Sequence, residues 1–328
     1  MMTTTEPAMP KGVLDPERII PPPTTVSPEA QAFLSQRMTA AGAPKGTADK
    51  AAWKAYIELS NGWLTQQMEA AAAMFPATLS EHQLERTTLY EVVPEQIAAE
   101  DAGRALFYIH GGAFIHGSGR AGAYMAMPLA CTAGLRTFCV DYRMPPDHPF
   151  PTGLDDAVEA YRHVLESYDA ASIAVAGGSA GGGLAGSLIL KLRDLGLPLP
   201  GACVLATPEA DLTEAGDTFE TNHYADVVLQ GRLTDSIALY ADGHDLTDPY
   251  LSPLFGDFSK GFPPTILNSG TRDAFLSNTV LMHRKLLRAG IEAELHVWEA
   301  MPHGGFFGAP EDQEVLQQQA RFIRRYLA

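Results

Sequence analysis

The chain has 328 residues, 46% of them hydrophobic, and a formal net charge of −16 at pH 7. That length holds one large domain carrying an insertion, and the apolar share supports a sizeable core. The acidic balance repels phosphate backbones and anionic membrane surfaces, which argues against a nucleic-acid partner.

Residues 1 to about 28 are rich in Pro and Thr, with Pro21, Pro22 and Pro23 in the middle, and read as an extended arm. Residues 28–41 and 48–74 carry apolar residues at helical spacing, separated by Pro44 and Gly46. Phe33, Trp53, Tyr56, Trp63 and Met68 make this region aromatic. A helical layer packed on a core explains it, and so does a lid over an apolar pocket; the two are compatible. From about residue 85 strands alternate with helices. The strand candidates are Thr87–Val93, Arg104–His110, Thr137–Tyr142, Ser172–Ala176, 202–206, Thr265–Asn268 and Glu294–Trp298. Helices are predicted at 154–167, 180–194, 276–289 and 311–327. Short apolar strands separated by helices predict an α/β fold, with a mostly parallel central sheet covered on both faces. Residues 208–250 interrupt the rhythm with an acidic stretch containing Asp211, Glu214, Asp217, Glu220, Asp226 and Asp235, and some helix near 231–241. The predicted organisation is therefore an N-terminal arm and cap helices (1–80), a first core part (81–207), a cap insertion (208–250) and a second core part (251–328).

Cys131, Cys139 and Cys203 lie in apolar stretches with no C-x-x-C pair, so they read as small buried hydrophobes rather than a disulfide or zinc framework. No run of about 18 apolar residues occurs, and the N-terminus lacks a basic-then-apolar pattern. A cytoplasmic chain with no membrane span is expected. There is no P-loop, no G-x-G-x-x-G turn after a strand and no H-E-x-x-H, so no cofactor and no metal is expected.

The chemistry-bearing signal is G-G-S-A-G at 177–181, which fits G-x-S-x-G with Ser179 at the tip of a strand-to-helix turn. Alone it is compatible with a structural glycine turn. An apolar strand before it and a helical run after it favour a nucleophile, with the Ala180 amide at a helix N-terminus. Upstream, His110-Gly111-Gly112-Ala113 follows a strand, and Gly111 and Gly112 can aim N–H groups at a developing oxyanion. A serine needs a base and the base an orienting acid, in the chain order Ser, Asp or Glu, His. Asp273 and His303 each follow a strand, where open α/β sheets build their sites. His244, His283 and His296 fall in insertion, helix and strand, and suit the role less.

Four segments in order, H-G-G-A-F (110–114), D-Y-R-M-P-P-D-H-P-F-P (141–151), G-G-S-A-G-G (177–182) and the stretch from S-G-T-R-D (269–273) to M-P-H-G (301–304), resemble the hormone-sensitive lipase family of α/β-hydrolases, in its bacterial esterase branch. The resemblance implies an α/β-hydrolase fold, Ser179 as nucleophile, His303 as base, Asp273 as acid, and Gly111, Gly112 and Ala180 as oxyanion donors. It also implies a cap built from the N-terminal helices and an insertion after the sixth strand. Phe114, Gly178 and Glu209 are substrate-pocket candidates. Relatives usually carry Asp or Thr where this chain has Gly178, and an aromatic where it has Glu209. Some use a glutamate where this chain has Asn278. Glu209 reads first as a solvent-facing carboxylate; facing the pocket, it would disfavour anionic acids and alter acyl selectivity. The expected activity is hydrolysis of short-to-medium carboxylic esters. Lactone hydrolysis uses the same residues, and a non-catalytic ligand receptor on the same scaffold is the remaining class. The expected partner is a small-molecule ester or lactone, and relatives suggest a homodimer.

Overall fold

The computed structural model describes residues 19–38, 42–229 and 231–328. Most of the proline-rich arm and the end of the first predicted helix, at 39–41, lie outside the described residues. Helices α1 (Pro28–Leu34) and α2 (Lys50–Ala72) come first; the Asp49 side chain caps α2 by accepting the Ala52 N–H at 2.9 Å. The core then runs β1 (Ala77–Gln83), β2 (Thr88–Pro94), β3 (Ala105–Ile109), α3 (Arg120–Ala133), β4 (Arg136–Asp141), α4 (Thr152–Leu165), β5 (Ile173–Gly178), α5 (Ala180–Asp194) and β6 (Ala202–Ala206). The insertion contributes a single turn, α6 (Thr218–Thr221), and α7 (Thr234–Ala241). The chain closes with β7 (Thr265–Gly270), α8 (Leu276–Arg288), β8 (Ala293–Trp298) and α9 (Pro310–Tyr326).

Among the described residues eight strands form one sheet in the order β1-β2-β4-β3-β5-β6-β7-β8. Only β2 is antiparallel to its neighbours, β1 and β4; every other pair is parallel. This is the α/β-hydrolase fold. Alternation along the strands splits the core into two layers. Phe107, Val175, Cys203 and Leu267 pack with α4, α5 and α8 through Leu154, Leu188 and Met282. Leu106, Ala174, Val204 and Ile266 pack with α3 and α9 through Leu129, Phe322 and Ile323. Cys139 and Cys203 are buried as expected, and Cys131 partly so. Among the described residues no helix is long and apolar enough to cross a membrane.

Besides the single turn α6, two elements were not expected. Strand β1 is an edge strand of mostly polar residues with one exposed face, so it carries little hydrophobic alternation. Helix α3 contains Pro128 and is buried around most of its circumference, which removes the amphipathic contrast that reveals a helix.

The sheet sets the site through one crowded crossing. A Cβ at Gly181 would lie 2.1 Å from the Ile109 carbonyl oxygen, and one at Gly177 would lie 2.2 Å from the Gly181 oxygen. Helix α5 thus starts in backbone contact with β3 and β5. At Gly178 the nearest atom would be 3.8 Å away. Gly181→Ala is accordingly expected to destabilise the protein toward the upper end of the about 1–3 kcal/mol that overpacking costs, and Gly178→Ala to leave the melting temperature nearly unchanged. Thermal unfolding of the two variants checks the contrast.

Candidate active site

Ser179 sits between β5 and α5 with φ 57° and ψ −127°, a backbone conformation rare for a residue with a side chain. The turn is held on all sides. The Ser179 N–H donates to the Ala206 carbonyl at 2.9 Å, and the Ser179 carbonyl accepts from Gly182, Gly183 and Glu209. The Ser179 hydroxyl lies 2.9 Å from His303 Nε2. His303 Nδ1 lies 3.0 Å from Asp273 Oδ1, so that nitrogen carries the proton and Nε2 is free to accept one. The fully buried Asp273 also accepts the Ser269 hydroxyl at 2.6 Å and the Phe275 N–H at 2.8 Å. The Phe275 ring stands edge-on to the imidazole at 4.6 Å.

Ser179, Asp273 and His303 are thus brought into one continuous relay. His244, His283 and His296 are instead engaged with Ala241, Ala293 and Glu294. Burial opposes charging of His303, but the carboxylates of Asp273 and Asp226 outweigh it, and the net shift of its pKa is upward. His110, by contrast, is driven down to about 4 by burial, against the hydrogen bond from its Nδ1 to the Gly111 carbonyl. It is a neutral structural residue.

Gly111 and Gly112 lie at the C-terminal end of β3 beside the serine. A Cβ at Gly111 would meet the Gly178 oxygen at 2.7 Å; Gly112 has φ 122°, and a Cβ there would meet the His116 oxygen at 2.3 Å. Only glycine fits either place. Several segments brace this loop. The Tyr142 ring stacks on His110 at 4.3 Å and its hydroxyl donates to the His110 carbonyl. Asp141 accepts the Gly119 N–H at 2.8 Å. Arg143 pairs with the buried Asp156 at 2.8 Å. From α2, Asn61 accepts the Gly117 N–H and donates to Ser118, while Trp53 packs with Ile115 and with Leu239 of α7. The aromatic N-terminal region is therefore divided: Trp53 is fully buried, while Trp63 is exposed.

The pocket candidates fare differently. Phe114 is buried, with its ring stacked at 4.1 Å on Tyr240 of α7. Gly178 is half-buried, and its Cβ direction faces Ala206 and the Tyr108 hydroxyl. Glu209 corrects the sequence reading. It is only 1% exposed rather than solvent-facing, and neither carboxylate oxygen has a hydrogen-bond partner among the described residues. Burial, assisted by Glu214 and opposed by His303, pushes its pKa up to about 8, so the group is largely uncharged at neutral pH. That removes the expected repulsion of anionic acids at neutral pH.

One residue of the site went unrecognised in the sequence. Asp226, in the insertion, is completely buried. Its Oδ2 accepts the N–H of Ala274 at 2.9 Å and the N–H of His303 at 3.2 Å, so one oxygen ties together the loops that carry Asp273 and His303. Its Oδ1 accepts from Val228 and Leu229. The signal lay in the acidic stretch, which read as a cap insertion with no carboxylate singled out as part of the triad's support. In fact Asp211 and Glu214 are also buried and accept local N–H and hydroxyl groups. Asp226→Asn removes a negative charge near His303 and an acceptor from buried N–H groups. The imidazole pKa, read by NMR titration, is expected to fall, and stability to drop by about 1–3 kcal/mol; an unchanged imidazole pKa would contradict the electrostatic part.

Residues 106–307 match a family model described as α/β hydrolase fold. An acetyl-hydrolase from Streptomyces hygroscopicus is 32% identical over 231 residues, covering 69% of this chain and 77% of the relative. Among solved structures, esterase E25 superposes with a TM-score of 0.90 at 33% identity, covering 97% of this chain and 99% of its own. An esterase from the bacterial hormone-sensitive lipase family gives a TM-score of 0.77 at 29% identity, covering 92% and 99%. These likenesses bear out the family resemblance and the carboxylesterase-like hydrolase class. The chain belongs to the α/β-hydrolase family, within its bacterial hormone-sensitive lipase-like esterases.

Proposed function

We propose that this carboxylesterase-like hydrolase cleaves short-to-medium carboxylic esters through an acyl-enzyme on Ser179. The observation that carries the reading is the unbroken relay from the Ser179 hydroxyl through His303 to Asp273, at 2.9 and 3.0 Å, beside a loop in which only glycines fit. His303 Nε2 takes the hydroxyl proton as Ser179 Oγ attacks the ester carbonyl. The N–H groups of Gly111, Gly112 and Ala180 receive the oxyanion, and Asp273 stabilises the imidazolium. The tetrahedral intermediate collapses as the C–O bond breaks, and the leaving alkoxide takes the proton from Nε2. Water then attacks the acyl-enzyme, giving its proton to His303, and the acid departs as Ser179 is reprotonated. We assign the cap to the N-terminal helices and the 208–250 insertion, supported by the packing of Trp53 with Ile115 and Leu239 over the glycine loop.

Ser179→Ala is expected to lower kcat on p-nitrophenyl butyrate by about 10⁴-fold or more while circular dichroism stays unchanged. Substantial residual turnover would sink the assignment, and a graded ester series with lactones in the same assay ranks the substrates. Only neutral His303 accepts the serine proton. Because its pKa is held above the ordinary 6.5, the acid limb of the kcat/KM–pH profile is expected to have its midpoint above pH 6.5; a midpoint at or below 6.5 would refute this.

A further inference from the structure

Glu209 is an unusual expense in a well-packed interior. A buried polar group without a partner costs about 1–3 kcal/mol. This carboxyl has two such atoms, and it stands next to the nucleophile: the Glu209 N–H donates to the Ser179 carbonyl at 2.9 Å. Its carboxyl interacts electrostatically with His303, Glu214 and Tyr240. Tyr240 repeats the pattern, since its buried hydroxyl has no partner among the described residues either. Its ring is stacked on Phe114 at 4.1 Å, two residues beyond Gly112, and meets the edge of Phe150 at 6.1 Å. Two unsatisfied polar groups thus sit on elements that touch the site: Glu209, on the loop after β6, through its bond to Ser179, and Tyr240, on α7, through Phe114.

We propose that the Glu209 carboxyl and the Tyr240 hydroxyl form a hydrogen-bonding subsite for a polar substituent of the substrate, so that the enzyme favours esters bearing a hydroxyl or second carbonyl close to the scissile bond over plain alkyl esters. The inference rests on the ester-hydrolase reading above. Largely protonated at neutral pH, Glu209 offers both an O–H donor and a C=O acceptor, and Tyr240 adds a second donor–acceptor. Such a site discriminates strongly, because a substrate lacking the polar group leaves these atoms unpaired.

The test compares kcat/KM for ethyl butanoate with ethyl 3-hydroxybutanoate and with 2-hydroxyethyl butanoate. The first pair probes the acyl side and the second the alcohol side. In the wild type, one hydroxylated ester is expected to exceed the plain ester by about tenfold or more. Glu209→Leu should collapse that ratio, Tyr240→Phe should reduce it, and Glu209→Gln, which can still donate and accept, should keep most of it. Because the carboxyl has no partner among the described residues, Glu209→Leu should leave the melting temperature equal or raise it. Ratios near one on both sides in the wild type, equal scaling of all three esters in Glu209→Leu, or a lowered melting temperature or failure to fold in that variant each overturn the proposal. Absence of hydrolysis of every ester by the wild type would instead overturn the ester-hydrolase reading itself.

Discussion

The site depends on the close approach of α5 to β3 and β5. A residue with a side chain is held at φ 57° at position 179 because its neighbours at 177 and 181 have none, and their backbones meet where a Cβ would stand about 2 Å from an oxygen. The strain at Ser179 is balanced by four backbone hydrogen bonds that fasten the turn to β6, α5 and the loop after β6. The serine is consequently placed by the sheet itself. The partner of its hydroxyl, His303, is then placed by the loop after β8, three strands away in the sheet.

The loops of the site are not independent. Asp273 and His303 follow the ends of β7 and β8, yet their relative position is secured by Asp226, from the stretch between β6 and β7. Asp226 accepts one N–H from each loop through a single oxygen. It also adds its charge to that of Asp273 at the imidazole, against the penalty of burial. The insertion is therefore part of the relay's support.

The sheet, the Ser179 turn, the glycine loop and the juxtaposition of Asp273 with His303 were legible because each is written locally. Apolar runs mark buried strands, and close backbone contacts demand glycines in fixed positions. What was not legible depends on distant packing. β1 is polar because it is an edge, and α3 is apolar on most sides because it is enclosed. Asp226 and Glu209 are single acidic residues in a polar stretch, and nothing in their neighbours distinguishes a carboxylate that fastens loops from one left unpaired beside a histidine, or either from one in water. The first predicted helix also ran past its real end at Leu34.

The contact of α2 with the glycine loop has a consequence for how this enzyme could diversify. Asn61 and Trp53 hold residues 115–118, which follow directly on Gly111 and Gly112, and Trp53 also touches α7. Helix α2 and the glycine loop therefore share the same fasteners. A shift of α2 would move that loop at the same time. On the proposed mechanism, breadth of substrate and speed of turnover are mechanically linked in this chain.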